Sequence, residues 1–131
     1  MSHRNEKIKN TLDEEAYRVT QKSGTEKAFS GKYYQHQAKG YYHCICCETA
    51  LFSSEHKYDS GSGWPSYWQA ISETVLKEVV DHNYGMVRVE VRCKSCDAHL
   101  GHVFNDGPQP TGLRYCINSV ALNFILDIPV S

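Results

Sequence analysis

A chain of 131 residues, 40% hydrophobic and 22% charged with a formal net charge of -1, is long enough for one hydrophobic core and too apolar for intrinsic disorder. Its 14 basic and 15 acidic residues form no Lys/Arg cluster along one segment, which excludes a phosphate-tracking surface for nucleic acid. No run approaches the roughly 18 to 20 apolar residues of a membrane helix, and the polar start Met1 to Lys7 leads into no signal-peptide core, so the expectation is a single cytoplasmic domain over residues 1–131 with no membrane partner.

Residues 1–30 are polar and carry one helix signal. Thr11 and Glu14 are spaced as a capping box ahead of Leu12, Ala16 and Val19, and Gly24 offers a left-handed cap at the other end. From Tyr41 onward the signals are those of strands, and residues 41–126 are expected to form the β core. Val75 to Val80 precedes the loop Asp81 to Gly85, after which Val87, Val89 and Val91 alternate with Arg88, Glu90 and Arg92; a hairpin follows. Asn105 to Gly112 is a turn-rich loop, and Leu113 to Ile117 and Val120 to Leu126 read as two further short strands. The predicted fold is mainly β, with antiparallel sheets packed or barrel-like and a short N-terminal helix as decoration.

Four of the six cysteines form two Cys-x-x-Cys pairs, Cys44 with Cys47 and Cys93 with Cys96, separated by residues 48–92. Four thiolates close a tetrahedral zinc shell and leave no position for water, which marks one structural ion rather than a catalytic one. Such an ion clips the long loop between its ligands and favours the folded state. The alternative is one redox disulfide pair beside an incidental one. Cys46 competes within the first pair, but Cys44 with Cys47 keeps the two-residue spacing.

Cys116 is left over, and on a strand Arg114 and Asn118 share its face, so that a cation and an amide flank the sulfur and favour its thiolate. Burial as a small apolar residue is the commoner fate of a lone cysteine, and the residues alone leave both readings open. His99 and His102 follow the second Cys pair and offer two imidazoles suited to proton donation, or else a further metal ligand or surface positions. The run Gly61 to Trp68 combines glycine freedom with rigid aromatic surface, and Trp64 there is either the wall of a methyl-sized pocket or a turn or core residue. A zinc-ribbon module that binds a protein partner is the non-enzymatic rival. It needs the four cysteines and has no use for Arg114, Cys116, Asn118 and two histidines.

Gly63-Trp64-Pro65-Ser66, the run Arg92 to Pro108, and Arg114-Tyr115-Cys116-Ile117-Asn118-Ser119 together resemble the zinc-binding branch of the methionine-R-sulfoxide reductases, the B-type family. Tyr17 to Gln21 and Gly24 to Glu26 extend the resemblance over nearly the whole chain. It implies an oxidoreductase of protein repair under oxidative stress, acting on the R epimer in proteins or peptides or on the free amino acid. It implies Cys116 as nucleophile, His99, His102 and Asn118 as residues that position the substrate and deliver protons, Arg114 as an active-site cation, and Trp64 and Phe104 as the methyl pocket. His102 is the first choice for the acid and His99 the second. The chain departs from the family at Ser62, where many relatives carry a resolving cysteine. The sulfenic acid left on Cys116 then needs another thiol, from thioredoxin, from glutathione with glutaredoxin, or, least favoured, from Cys46.

Overall fold

The computed structural model describes residues 14–82 and 85–126. Helix α1 (Glu14–Lys22) buries Ala16, Val19 and Thr20 along one face, with Glu14 and Glu15 in its first turn and Lys22 in its last, as the helix dipole favours. The expected capping box rests on Thr11, which with Leu12 lies outside the described residues. At the other end the left-handed residue is Ser23 (φ 55°), not Gly24. Gly24 sits one place further on, its N–H reaching back to the Arg18 carbonyl at 3.2 Å, and a Cβ there would crowd the Arg18 side chain. That glycine answers a close approach rather than a backbone dihedral.

Strands β1 (Gly40–Cys44), β2 (Ala50–Ser53) and β9 (Leu122–Leu126) form a three-stranded sheet in the order β2-β1-β9. Strands β3 (Lys57–Tyr58), β4 (Ser66–Tyr67), β5 (Leu76–Asp81), β6 (Arg88–Cys93), β7 (His99–Phe104) and β8 (Arg114–Ile117) form a six-stranded one in the order β3-β4-β8-β7-β6-β5. Every strand pair is antiparallel, as the sequence predicts. One core joins the elements: Val19 of α1, Tyr42, Leu51, Phe52 and Leu122 of the smaller sheet, and Tyr67, Val91, Leu100 and Ile117 of the larger are all buried in it. Phe52 stacks on Tyr67 with ring centroids 4.3 Å apart, an apolar seam between the two sheets.

The hairpin of β5 and β6 runs in register from Leu76 opposite Cys93 to Asp81 opposite Arg88. Val87 lies outside it and is 72% exposed, whereas Glu90 and Val91 are both buried, so this strand is covered on both faces and one of them is polar. The expected strand from Val120 is shorter: Ser119–Ala121 is a 3₁₀ turn, held by the Ala121 N–H on the Asn118 carbonyl at 3.0 Å, and β9 starts at Leu122. No helix among the described residues is long and apolar enough to cross a membrane.

Candidate functional site

The Sγ atoms of Cys44, Cys47, Cys93 and Cys96 all lie within 4.8 Å of one another, with Cys44 to Cys96 and Cys47 to Cys93 each at 3.5 Å. Zinc with four sulfurs at about 2.3 Å sets its ligands roughly 3.8 Å apart, so the cluster fits a metal ion of that kind. The local backbone shows why. In each pair the first cysteine ends a strand, its carbonyl accepts from the residue four further on (Glu48 at 2.8 Å, Asp97 at 2.7 Å), and that residue is left-handed at φ 66° or 65°. Two copies of one turn therefore aim sulfurs inward from β1 in one sheet and β6 in the other. Cys46 is not one of the four; its Sγ lies between that cluster and α1, against the Cys44 and Cys96 thiols and 3.4 Å from Gln21 Nε2.

The second constellation lies on one face of the six-stranded sheet, and register places it there. Cys116 stands opposite Ser66 on β4 and opposite His102 on β7, Arg114 opposite Phe104, and Glu90 opposite His102. Residues directly opposite, or two apart, share a face. His99, three residues from His102, would by alternation point away. A bulge prevents this: Arg92 pairs with His99 while Val91 pairs with Gly101, so Leu100 is surplus and both imidazoles come to one side, ring centroids 5.6 Å apart. At Gly101 the strands pass so closely that a Cβ would overlap the Cys116 carbonyl oxygen.

Trp64, His102, Phe104, Arg114, Cys116 and Asn118, all singled out from sequence, line one cavity of about 240 Å³, completed by Thr25, Arg88 and Gly101. That is below the 300 Å³ or so at which cofactor-sized pockets begin, and suits a single side chain. His99 does not line it. It is buried behind, its Nδ1 2.6 Å from Glu90 Oε2 and its Nε2 without a partner. Burial keeps His99 below its ordinary pKa despite that carboxylate; Glu90 in turn stays below its own ordinary value, because hydrogen bonds from Arg92 and His99 outweigh the burial that opposes its charge. Arg92 also reaches Asp97 of the second cysteine turn at 3.3 Å, so a chain of ion pairs links the four-cysteine cluster to His99.

The sulfur of Cys116 lies 3.9 Å from the Ser62 hydroxyl. Burial pushes its pKa above the ordinary thiol value, and the Ser62 hydroxyl and the Arg114 guanidinium recover only part of the rise. That direction runs against the expectation of a thiolate favoured by Arg114, because burial favours the uncharged sulfur. Arg114 is itself held by Asp106 in two hydrogen bonds (Nε to Oδ1 2.9 Å, Nη2 to Oδ2 3.2 Å), and its guanidinium lies 4.3 Å over the Phe104 ring. The Asn118 amide is occupied at both ends, Oδ1 accepting from Glu26 N and Nδ2 donating to Leu100 O, each at 2.9 Å. It ties the bulge to the segment beside Trp64, whose Nε1 donates to the Glu26 carbonyl at 3.0 Å.

Sequence reading did not single out Asp81, Arg88, Glu90, Asp106 or Glu26. Asp81 Oδ2 accepts from His102 Nε2 at 3.0 Å and from Arg88 Nη2 at 3.3 Å. Opposite charges flanking the predicted turn, Asp81 at its start and Arg88 three residues past Gly85, were the available signal for that last pair.

The model of the SelR domain matches residues 12–126. The chain is 64% identical to the peptide methionine sulfoxide reductase MsrB of Thioalkalivibrio sulfidiphilus over 119 residues, 91% of this chain and 87% of that one. It is 59% identical to the protein of the same name from Herminiimonas arsenicoxydans over 113 residues (86% and 82%), and 52% identical to that of Synechococcus sp. strain RCC307, also over 113 residues (86% and 83%).

Proposed function

Because the chain belongs to the SelR-domain family of peptide methionine sulfoxide reductases, we propose that it reduces methionine-R-sulfoxide in peptides or proteins to methionine, with Cys116 as the nucleophile. The observation that carries this reading is the pairing of Cys116 with His102 across β7 and β8, inside one side-chain-sized cavity walled by Trp64 and Phe104. The substrate methyl group packs on the two aromatic rings, which favour sulfur and methyl contacts. The sulfoxide oxygen then faces His102, whose proton makes the sulfur electrophilic, an effect worth about a hundredfold or more.

Cys116 enters as a thiol and loses its proton as its sulfur attacks, while His102 delivers one to the departing oxygen. The S–O bond of the substrate breaks, the oxygen passes to cysteine, and the products are the thioether and a sulfenic acid on Cys116. Asn118 holds the bulge that aligns the histidines, with His99 behind His102, and Arg114, clamped by Asp106, keeps positive potential beside the reacting sulfur. Cys44, Cys47, Cys93 and Cys96 would hold one zinc ion, which cross-links the sheets and takes no part in the chemistry.

Recycling falls to an external thiol. Ser62 stands beside the reacting sulfur but cannot condense with a sulfenic acid, and Cys46 packs on α1 away from the cavity lining. A first thiol from thioredoxin or glutathione condenses with the sulfenic acid and releases water; a second, from the same thioredoxin or from glutaredoxin, frees Cys116. A reducing compartment such as the cytoplasm suits that cycle.

Separated R and S epimers of a methionine sulfoxide peptide, assayed with thioredoxin and with glutathione plus glutaredoxin, test the reading. The R epimer is consumed and the S epimer reacts at least about a hundredfold more slowly; equal turnover of both, or of neither, overturns it. The raised thiol pKa has its own readout. Between about pH 7 and pH 9 alkylation of Cys116 by iodoacetamide rises close to tenfold per pH unit, since only the thiolate reacts and its fraction grows with pH below the pKa. Mass-spectrometric labelling that levels off below about pH 8 would contradict the direction.

A further inference from the structure

We infer that Asp81 is a positioning residue for this reduction: it holds His102 in the tautomer that carries its proton on Nε2 and leaves Nδ1 as the nitrogen that exchanges a proton in the cavity. The inference rests on the function proposed above and deepens it.

Asp81 is the last residue of β5 and its carboxylate reaches across β6 to the His102 ring, with Oδ2 and Nε2 at 3.0 Å. An ionised carboxylate only accepts, so the nitrogen facing it must bear hydrogen, and in the neutral ring the lone pair falls on Nδ1. Both side chains are only 11% exposed, which strengthens the bond over its value in water. Arg88 Nη2, 3.3 Å from the same oxygen, pairs with the carboxylate and anchors it. Glu90 binds His99 through the other nitrogen, Nδ1, so the two imidazoles, which meet edge to face, are held in opposite tautomers. The groups facing His102 are thus Asp81 from β5, Arg88 and Glu90 from β6, His99 on its own strand, and Cys116 and Arg114 from β8. Among these Asp81 alone takes a hydrogen bond from the ring. Loss of the carboxylate therefore removes the bond that orients the ring and fixes its tautomer.

The test compares Asp81→Asn and Asp81→Glu in zinc-loaded protein, with kcat and KM for an R-sulfoxide peptide and the imidazole nitrogen resonances of His102 read by NMR. Asp81→Asn lowers kcat by about 10² to 10³-fold with KM within about threefold, because the amide can donate to Nε2 and move the proton to Nδ1. Asp81→Glu, which restores a carboxylate, regains at least about tenfold of that loss. The parent spectrum shows Nε2–H and the Asp81→Asn spectrum shows Nδ1–H. A kcat within about threefold of the parent in Asp81→Asn overturns the inference, as does an Nδ1–H tautomer in the parent, and the second result stands even if Asp81→Asn fails to fold. A parent that reduces neither epimer sinks the proposed reaction instead, a failure separate from the tautomer readout.

Discussion

Cys116→Ser protein turns over no methionine-R-sulfoxide: the rate falls by at least about a thousandfold while the fold and the metal content stay as in the parent. The reason is atomic. Oxygen leaves the substrate only if another atom accepts it, and a serine hydroxyl in that place would have to form a peroxide. The structural cost is small, since β8 keeps its pairing with Ser66 and His102 through the backbone and the side chain changes by one atom, worth about 1 kcal/mol. The epimer assay, run beside zinc analysis and thermal melting, checks both halves. Parental turnover by Cys116→Ser would mean that the sulfur faces the cavity without doing the chemistry.

Cys93→Ser has the opposite profile, with the largest loss in stability. Cys93 is fully buried at the end of β6, and its sulfur is one of four brought together from two sheets. Structural zinc contributes on the order of 10 kcal/mol in small domains, comparable with the whole stability of a chain this size. Losing one thiolate therefore releases the ion and lowers the melting temperature by at least about 10 °C. A chromogenic chelator and calorimetry measure the two together; parent-like melting without zinc would show that the sheets hold each other unaided. Activity should fall with the metal, because Asp97 in the second cysteine turn grips Arg92, Arg92 grips Glu90, and Glu90 holds His99.

What was legible in the sequence was local. Cys-x-x-Cys twice over announces a four-sulfur cluster, because the turn that forms it is set by five consecutive residues. Valine alternation announces β6, and the spacing of Arg114 and Cys116 announces a shared face. What was not legible depends on partners from other strands. Asp81 and Glu90 meet the histidines only because β5, β6 and β7 pair in one register, and no spacing along the chain encodes that. The thiolate expected at Cys116 overlooked burial for the same reason: Arg114 is visible two residues away, whereas the desolvation that opposes the charge comes from neighbouring strands packed around the sulfur. Strand β7 escaped because five consecutive residues are buried and no polar alternation remains to mark it. The helix end was misassigned by one residue, since Ser23 accepts the left-handed backbone that glycine more often supplies.

The surplus Leu100 sets the arithmetic of the imidazole pair. A pleated strand repeats every second residue, so an interval of three between two side chains on one side is odd only until the extra residue is counted. Lengthen or shorten that stretch by one and a ring would exit through the opposite surface, into the apolar interior, stranding its carboxylate. The spacing His-x-x-His between paired strands is thus a phase mark: it records where a ladder skips a step, and it can be sought in other chains as the trace of such a skip.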